Sequence, residues 1–359
     1  MLNRVLSSRL ILVTGKGGVG KTNISCAIGD ILSQPNSSVG KHSGYNNEKR
    51  TLIVEVDNFA PSLESIYGVK QTYEPTQVKK NLFICNITWK EALHDWLLST
   101  IKIKKIVEKI ESNKVAMIYL DATPGAREIV ILSRIAQYLE SFDTVVVDLP
   151  ASGHALGILR VPKTAINLMK SGPVHDKAKQ LLNMFSDVRT MPLIVSLPET
   201  MVVNETIELW EKLHNDLPEL QKPSVILNRT SIPSISQEEI ELLKALEECE
   251  DIDQDGRNFL LAGRWEQDLE QATQTSLQRC QEAFDGEVAS LPRFGMLGGY
   301  GAQNRGQKNT SQTKIKIPIK ESDSSSNHDN FHQKYKRAEN TRLVIQQMST
   351  GLQRLLFTK

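Results

Sequence analysis

The stretch Leu10–Thr22, LILVTGKGGVGKT, constrains the fold of this chain more than any other. Its apolar start, bounded by glycines, is typical of a fully buried strand, and the apolar spacing from Asn23 to Leu32 predicts a helix. A strand, a glycine loop and a helix form the context in which the pattern G-x-x-x-x-G-K-T binds phosphate. The sequence therefore predicts an α/β fold with a doubly wound, mainly parallel sheet and a ligand at the carboxyl ends of its strands.

The glycine loop predicts a binding site for a nucleoside triphosphate. Its backbone N–H groups can turn towards phosphates, and the helix N-terminus adds a positive end. Lys21 is predicted to reach the β- and γ-phosphates, and the Thr22 hydroxyl is predicted to ligate Mg²⁺. The alternative is a glycine turn with a chance lysine, which the complete motif behind a buried strand disfavours. The predicted nucleotide-binding residues here are Gly15, Lys16, Gly17, Gly18, Val19, Gly20, Lys21, Thr22 and Asn23.

A second lysine, Lys16, lies inside the loop directly after Gly15. The segment Gly15–Thr22, GKGGVGKT, resembles the loop of the deviant phosphate-loop ATPases. In those families the early lysine crosses a dimer interface to the partner's phosphates, so the resemblance implies a homodimer with Lys16 and Lys21 in catalytic roles. A cation there would stabilise charge on the transferring phosphoryl group, as an arginine finger does. The alternative is a solvated loop lysine.

Two aspartates follow predicted strands. Asp57 comes directly after TLIVEV and is placed to orient the attacking water and contribute to the metal site, although a helix cap or turn role remains open. Asp148 follows TVVV in a Walker B arrangement, where the carboxylate holds the hydration shell of Mg²⁺. The loop after it, including Gly153 and His154, is predicted to sense the γ-phosphate, so Asp57, Asp148, Gly153 and His154 form the predicted switch residues.

Several further motifs resemble one family in chain order. DLPASGH at Asp148–His154 is similar to the D-x-P-x-[ST]-G-H switch of the arsenical pump-driving ATPases and the relatives that target tail-anchored membrane proteins. Pro124–Glu128 is similar to their P-G-x-x-E helix start. The resemblance implies that Leu197–Thr206, LPETMVVNET, is a loop near the adenine, that Asn228 in VILNRT reads the base, and that Pro292 and Arg293 cover the adenine.

The chain also departs from that family. Asn23 replaces a usual Ser or Thr, and Asp57 is followed by NFAPS where members often have P-A-H-S. There is no C-x-x-C, no evident methionine-rich groove and one phosphate loop only. The resemblance is therefore to a single-half, bacterial-type member that must dimerise to place Lys16 across from a partner.

Composition narrows the class of protein. The 43 basic and 42 acidic residues give no overall attraction to nucleic acid, so no nucleic-acid partner is expected. The four scattered cysteines favour a reducing compartment and fit small core fillers better than a metal site. Met1–Arg9 is too short for a signal peptide and no stretch reaches the length of a bilayer span, so a cytoplasmic protein is expected, with peripheral membrane contact possible only through its C-terminus.

We expect one ATPase domain over residues 1–296, with helical insertions at about 89–140 and 156–187 that form a client-facing cap. The lysine run Lys102, Lys104 and Lys105 is interpreted as a solvated helix face. Residues 297–334 are rich in Gly, Asn, Ser, Gln and Lys and predict a low-complexity loop or linker. Residues 335–359 predict an amphipathic helix that either packs on the body or binds a membrane or partner.

The predicted function is a dimeric switch that couples hydrolysis of ATP with Mg²⁺ to a conformational change. Its output is either the handling of a hydrophobic client protein or the driving of a membrane partner. One alternative is a positioning ATPase that reaches the membrane through residues 335–359, similar to division-site ATPases. A second is an ATPase that drives arsenite or antimonite efflux, which the scattered cysteines disfavour. An electron-transfer reductase lacks cluster ligands here.

Overall fold

A computed structural model describes residues 1–34, 49–56, 61–231, 237–247 and 253–293. Within these ranges the chain forms an eight-stranded sheet. The strands are β1 Leu10–Gly15, β2 Thr51–Val56, β3 Thr76–Lys79, β4 Leu82–Ile87, β5 Thr144–Asp148, β6 Thr190–Ser196, β7 Ser224–Thr230 and β8 Val288–Pro292.

The sheet has the order β3-β4-β2-β5-β1-β6-β7-β8. Every neighbouring pair is parallel except β3 with β4, which is antiparallel. The chain starts at the centre, winds outwards on one side to β4, and then passes through β5 to the other side. This order confirms the predicted doubly wound, mainly parallel α/β fold. The antiparallel edge strand β3 was not predicted.

Twelve helices connect and cover these strands within the described ranges. They are α1 Leu2–Ser7, α2 Lys21–Ser33, α3 Ser62–Tyr67, α4 Trp89–Ile101, α5 Lys104–Ser112, α6 Lys114–Ala122, α7 Ala126–Ser141, α8 Ser152–Leu168, α9 Pro173–Ser186, α10 Thr200–Asp216, α11 Gln237–Glu247 and α12 Gln254–Ala283. Among them, α1 occupies the segment that was expected to lead straight into β1. The thirty-residue α12 was not predicted either.

The core consists of two apolar layers, one on each face of the sheet. Successive residues of β1 show this, because Leu10 and Leu12 pack in one layer whereas Ile11 and Val13 pack in the other. Strand side chains alternate between faces, so a strand covered on both sides becomes a continuous apolar run. Helices α4 and α7–α10 cover the first layer, and α2 covers the second. The apolar run that predicted a buried strand thus has its expected environment.

Two groups of helices lie between strands at the predicted insertions. Helices α4–α7 separate β4 from β5, and α8 with α9 separates β5 from β6. The first part of the predicted insertion at about 89–140 consists of two helices, α4 and α5. The chain turns at Lys102, which has a left-handed φ of 58°, and resumes as α5. The domain bounds 1–296, and the assignment of these helices to a cap, stay a prediction.

The other predicted segments lie partly beyond these ranges. The predicted loop at 297–334 and the predicted helix at 335–359 are outside the described residues, as are Asp57 and Cys249. The remaining cysteines, Cys26, Cys85 and Cys280, are buried, which confirms their prediction as core residues. Among the helices that the structure describes, none combines the length and apolar character needed to cross a bilayer.

Candidate nucleotide-binding site

The glycine loop between β1 and α2 has a backbone that other residues could not adopt. Gly15 has a φ of 140°, and a Cβ on it would lie 2.2 Å from the carbonyl oxygen of Val195 on β6. Gly18 and Gly20 have φ values of 85° and 95°, in the region that favours glycine. A Cβ on Gly18 would meet no atom within 4 Å, so the loop is open on that side. The loop is therefore shaped both by backbone conformation and by its contact with β6.

Lys21 begins α2 and folds back over the loop. Its Nζ donates to the carbonyl oxygens of Gly15 and Lys16, each at 3.1 Å. Burial lowers the pKa of Lys21, while the carboxylates of Asp148 and Glu205 act in the opposite direction. The ammonium is thus held at the mouth of the loop, within reach of an anion in the glycine cradle.

Thr22 and Asp148 form the predicted pair of oxygen ligands. The Thr22 hydroxyl donates to Asp148 Oδ2 at 2.5 Å, and Ser25 Oγ lies 3.5 Å from Oδ1. Asp148 ends β5, whose register places it beside Val13 of β1 and Glu55 of β2. The pKa of Asp148 is raised to about 6, mainly by burial; the hydrogen bond from Thr22 and the charge of Lys21 act against this rise, and the Glu55 carboxylate adds to it.

This donor set fits Mg²⁺ together with phosphate oxygens. A hydroxyl and a carboxylate at the end of a phosphate loop are hard oxygen ligands, and Mg²⁺ keeps several waters rather than requiring a protein cage. A buried carboxylate with a raised pKa is one that a cation would stabilise in its charged form. No cluster of three or more His, Cys, Asp or Glu side chains suited to a metal occurs in the described part of the chain.

Lys16 contacts a residue outside the glycine loop. Its Nζ forms an ion pair with Glu205 Oε2 on α10 at 3.2 Å, and both side chains are about two-fifths exposed. Ser152, the first residue of α8, donates to the other carboxylate oxygen, Oε1, at 2.6 Å. The Ser152 hydrogen bond lowers the pKa of Glu205, and Lys16 adds to that effect. All three residues line a groove of about 440 Å³.

Glu55 is a site residue that the sequence analysis did not select. It is 2% exposed, next to Asp148 in the sheet. Its two carboxylate oxygens accept from the backbone N–H groups of Ser62 at 3.0 Å and Leu63 at 3.3 Å, at the start of α3. The one sequence feature that could have indicated a role for Glu55 is a charged residue within the apolar run TLIVEV, two residues before Asp57. Glu55 fixes α3 to the carboxyl end of β2.

Helix α3 and the start of α2 border a cleft of about 560 Å³, lined by Thr22, Asn23, Pro61, Ser62, Glu64, Ser65 and Ile66. Asp57 itself lies outside the described residues, so its predicted place at this cleft stays a prediction. Gly153 and His154 are exposed in the first turn of α8, directly after Ser152, which contacts Glu205. The two predicted switch segments therefore begin at neighbouring strands, β2 and β5.

Asn228, on β7, contacts the loop directly. Its Nδ2 donates to the carbonyl oxygen of Val19 at 2.8 Å, and its side chain is buried. A Cβ on Gly20 would lie 2.7 Å from the same Nδ2. The predicted contact with the base is untested, and the described contact of Asn228 is with the loop backbone.

The residues predicted to cover the adenine lie near β7. Pro292 ends β8, and the N–H of Arg293 donates to the Thr230 carbonyl at 2.9 Å. The Arg293 guanidinium lies 5.0 Å from the ring centroid of Trp265 on α12. The prediction of a loop over Leu197–Thr206 is wrong from Thr200 onwards, where α10 starts. The helix is what carries Glu205 to Lys16.

Comparison with known proteins supports the same assignment. A sequence model described as anion-transporting ATPase matches residues 8–192, more than half of the chain. The chain belongs to the anion-transporting ATPase family. The matched region contains the glycine loop, Asp148 and the helices α4–α9.

Individual ATPases are similar over 43% to 73% of the chain. ATPase BagA of Mycobacterium tuberculosis is 28% identical over 269 residues, which cover 73% of this chain and 76% of that protein. A protein of Aquifex aeolicus provisionally named arsenical pump-driving ATPase 2 is 26% identical over 277 residues, covering 67% and 86%. ATPase ASNA1 homolog of Leishmania infantum is 26% identical over 178 residues, covering 43% of each chain. Membership of this family makes the chain an ATPase.

Proposed function

We propose that this ATPase works as a homodimeric switch, in which hydrolysis of ATP with Mg²⁺ changes how two subunits meet. The observation that carries the proposal is the position of Lys16. The loop is open above Gly18, and the Lys16 ammonium, about two-fifths exposed, pairs with Glu205 in an accessible groove. A lysine that contacted only the nucleotide of its own subunit would not need an exposed position beside Glu205. An exposed Lys16 can contact the nucleotide of a second subunit that faces this groove.

Within one subunit, the roles follow the contacts. The loop amides and Lys21 hold the phosphates, with Gly15, Gly17, Gly18, Val19 and Gly20 shaping the cradle. Thr22 and Asp148 hold Mg²⁺, which when bound neutralises charge on the phosphate oxygens. Asp57 orients the attacking water and contributes to the metal site. Asn228, Pro292 and Arg293 enclose the base, and Asn23 contacts the nucleotide from the start of α2.

Across the dimer, Lys16 supplies a positive charge to the partner's transferring phosphoryl group. To do so it must leave Glu205, which Ser152 also holds. Because Ser152 directly precedes Gly153 and His154, the proposed release of Lys16 is coupled to movement at the start of α8. The conformational change that accompanies hydrolysis is then transmitted through α8 to α9, the helices that follow β5.

The work output that we propose is the handling of a client protein or a membrane partner. The names of the relatives point to different outputs, since one is described as an arsenical pump-driving ATPase and another as an ASNA1 homolog. Metalloid-driven activity is not favoured, because the cysteines that the structure describes, Cys26, Cys85 and Cys280, are buried. Their thiols are not available to an anion in solution.

The test is to measure ATP hydrolysis and solution mass for the wild type, Lys16→Ala and Asp57→Asn, with Mg²⁺ and with a chelator. We expect a nucleotide-dependent dimer, and a loss of hydrolysis in Lys16→Ala of about 10³-fold, at the low end of the effect of an arginine finger. Lys177→Ala, on α9 and outside the residues assigned to the site, is the matched control and should hydrolyse ATP normally. A monomeric Lys16→Ala enzyme with full activity would refute the cross-dimer mechanism and leave a nucleotide-binding switch.

A further inference from the structure

Helix α6 presents an apolar face to solvent. Val115, Ile118 and Tyr119 are 76%, 68% and 73% exposed, and their spacing of three and four residues places them on one side of the helix. The opposite side carries Met117 and Leu120, which pack against the core layer on that face of the sheet. The helix is therefore docked in a definite orientation, and its outward face is apolar where a solvated helix would be polar.

Helix α5 continues this surface. Val107 is fully buried and anchors the helix. Ile103, the residue before the helix, is 52% exposed, and Ile106 is 44% exposed. Lys105 and Lys109, two positions before and after Val107, lie on the side opposite the anchor. We refer to the outward faces of residues 102–123 as the α5–α6 surface.

The α5–α6 surface carries positive charge that its own carboxylates do not neutralise. Five lysines occur in residues 102–123, against three acidic residues. Two of those acidic residues pair outside the lysine set, Glu111 with His94 at 2.8 Å and Asp121 with Arg127. The third, Glu108, lies 3.9 Å from Lys104. In the described part of the chain no ion pair involves the other four lysines, Lys102, Lys105, Lys109 and Lys114.

We propose that the α5–α6 surface docks this protein on an anionic lipid bilayer. Exposed Ile, Val and Tyr side chains among lysines are what an interfacial helix inserts at the boundary between headgroups and acyl chains. Each lysine near an anionic leaflet adds attraction that falls away within a Debye length. The unpaired lysines complement anionic headgroups, so a lipid surface is a better partner than an apolar protein segment. Binding an apolar segment would remove water from the same ammonium groups without neutralising their charge.

The proposal goes beyond the switch described above. It adds a binding role for the surface that contains Lys102, Lys104 and Lys105, which are exposed as the solvated-face interpretation requires. It uses none of the residues assigned to nucleotide or to the Lys16 groove. It is independent of the alternative in which residues 335–359 contact a membrane.

The experiment is co-sedimentation of the full chain with vesicles of phosphatidylcholine alone or with phosphatidylserine added, at low and high salt. An apolar triple variant, V115S/I118S/Y119S, and a charge variant, K105Q/K109Q/K114Q, test the two halves of the surface. The matched controls are L242S/F259S/L261S, whose side chains on α11 and α12 are also more than half exposed, and K177Q/K179Q on α9. Thermal unfolding and ATP hydrolysis measured on every variant show whether it is folded.

We expect wild type to bind the phosphatidylserine vesicles and to lose binding at high salt. Each α5–α6 variant should partition about tenfold or more weakly while hydrolysing ATP normally, and both controls should bind as wild type. Equal binding of the α5–α6 variants and wild type would overturn the proposal. So would wild-type binding to neither vesicle, or binding that depends on residues 335–359 alone. Because hydrolysis is read separately, failure here is distinguishable from failure of the dimeric switch.

Discussion

At the scale of single residues, Asp148 is a site carboxylate whose charged form is disfavoured by burial in the absence of a cation. Its pKa is raised to about 6 by burial. An unfolded aspartate has a pKa of about 3.9. The folded protein therefore binds the proton more tightly than the unfolded chain does. The associated stability is fully present below about pH 4 and is lost as the pH rises through about 6.

We predict that Asp148→Asn stabilises the nucleotide-free protein at pH 7 by on the order of 2–3 kcal/mol, because two pKa units correspond to about 2.7 kcal/mol. The advantage over wild type should shrink as the pH falls and vanish near pH 4. Urea unfolding of both proteins from pH 4 to 8, without Mg²⁺ or nucleotide, measures this difference.

Asp187→Asn is a comparison in which the effect on stability should depend on pH in the opposite direction. The side-chain hydrogen bond from Arg189 lowers the pKa of Asp187 to about 2, so its stabilising contribution is present above about pH 4 and is lost at more acid pH. If Asp148→Asn shows a stability difference from wild type that is independent of pH, the carboxylate is not the group that we describe.

At the scale of elements, the contact between β2 and α3 depends on one carboxylate. Glu55→Ala leaves the N–H groups of Ser62 and Leu63 without the acceptor that they have now, at the start of a six-residue helix. We predict a loss of about 1.5–3 kcal/mol in the free energy of unfolding, the range for hydrogen bonds to a charged group. Hydrogen exchange should show faster exchange of these two amides.

Glu64→Gln, on the exposed side of the same helix, is the matched control and should leave both amides protected. Unchanged exchange in Glu55→Ala would mean that α3 is held in place by its apolar contacts, Leu63 and Ile66, without help from the carboxylate.

Elements with strong local patterns were predictable from the sequence. The strands β1, β2 and β5 are short apolar runs buried on both faces, and the glycine loop fixes what lies between β1 and α2. The break at Lys102 was not predictable, because a lysine in a left-handed conformation has no local pattern. Likewise α12 has few buried residues, among them Thr273, Ser276 and Cys280, so it lacks the apolar stripe that predicts a helix.

The contacts of the candidate site also divide into those that the sequence predicts and those that it does not. Thr22 and Asp148 were paired from motifs alone, since parallel strand ends meet at one edge of a sheet. The contact of Lys16 with Glu205 depends on α10 replacing a predicted loop, and the contact of Asn228 with Val19 joins residues 209 positions apart. Contacts of that range follow from the register of β6 and β7 against β1, which a single sequence does not display.

At the scale of the whole molecule, β8 completes the described body. Leu291 is fully buried with the apolar layer of β1, and Phe284 packs on Trp210 with ring centroids 5.4 Å apart. The last described residue, Arg293, is bonded to β7. The predicted ATPase domain 1–296 includes all of these contacts.

We predict that a chain of residues 1–296 unfolds cooperatively, near the wild-type midpoint, and hydrolyses ATP. A chain of residues 1–230 should not fold, because it removes the apolar cover of Trp210 and the edge strand beside β7. Circular dichroism melting and an ATPase assay test both. If residues 1–296 fail to fold while the full chain folds, the remaining 63 residues belong to the body and the domain bounds are wrong.

The tie between Asn228 and Val19 also has a consequence for biosynthesis. Ribosomes release the glycine loop early, but the amide that holds its backbone is about two hundred residues away in the chain. A nascent chain therefore carries an incomplete cradle until β7 has emerged and paired with β6. We expect nucleotide to bind only to nascent chains in which β7 has emerged and paired, so that shorter chains do not compete for ATP or for a partner.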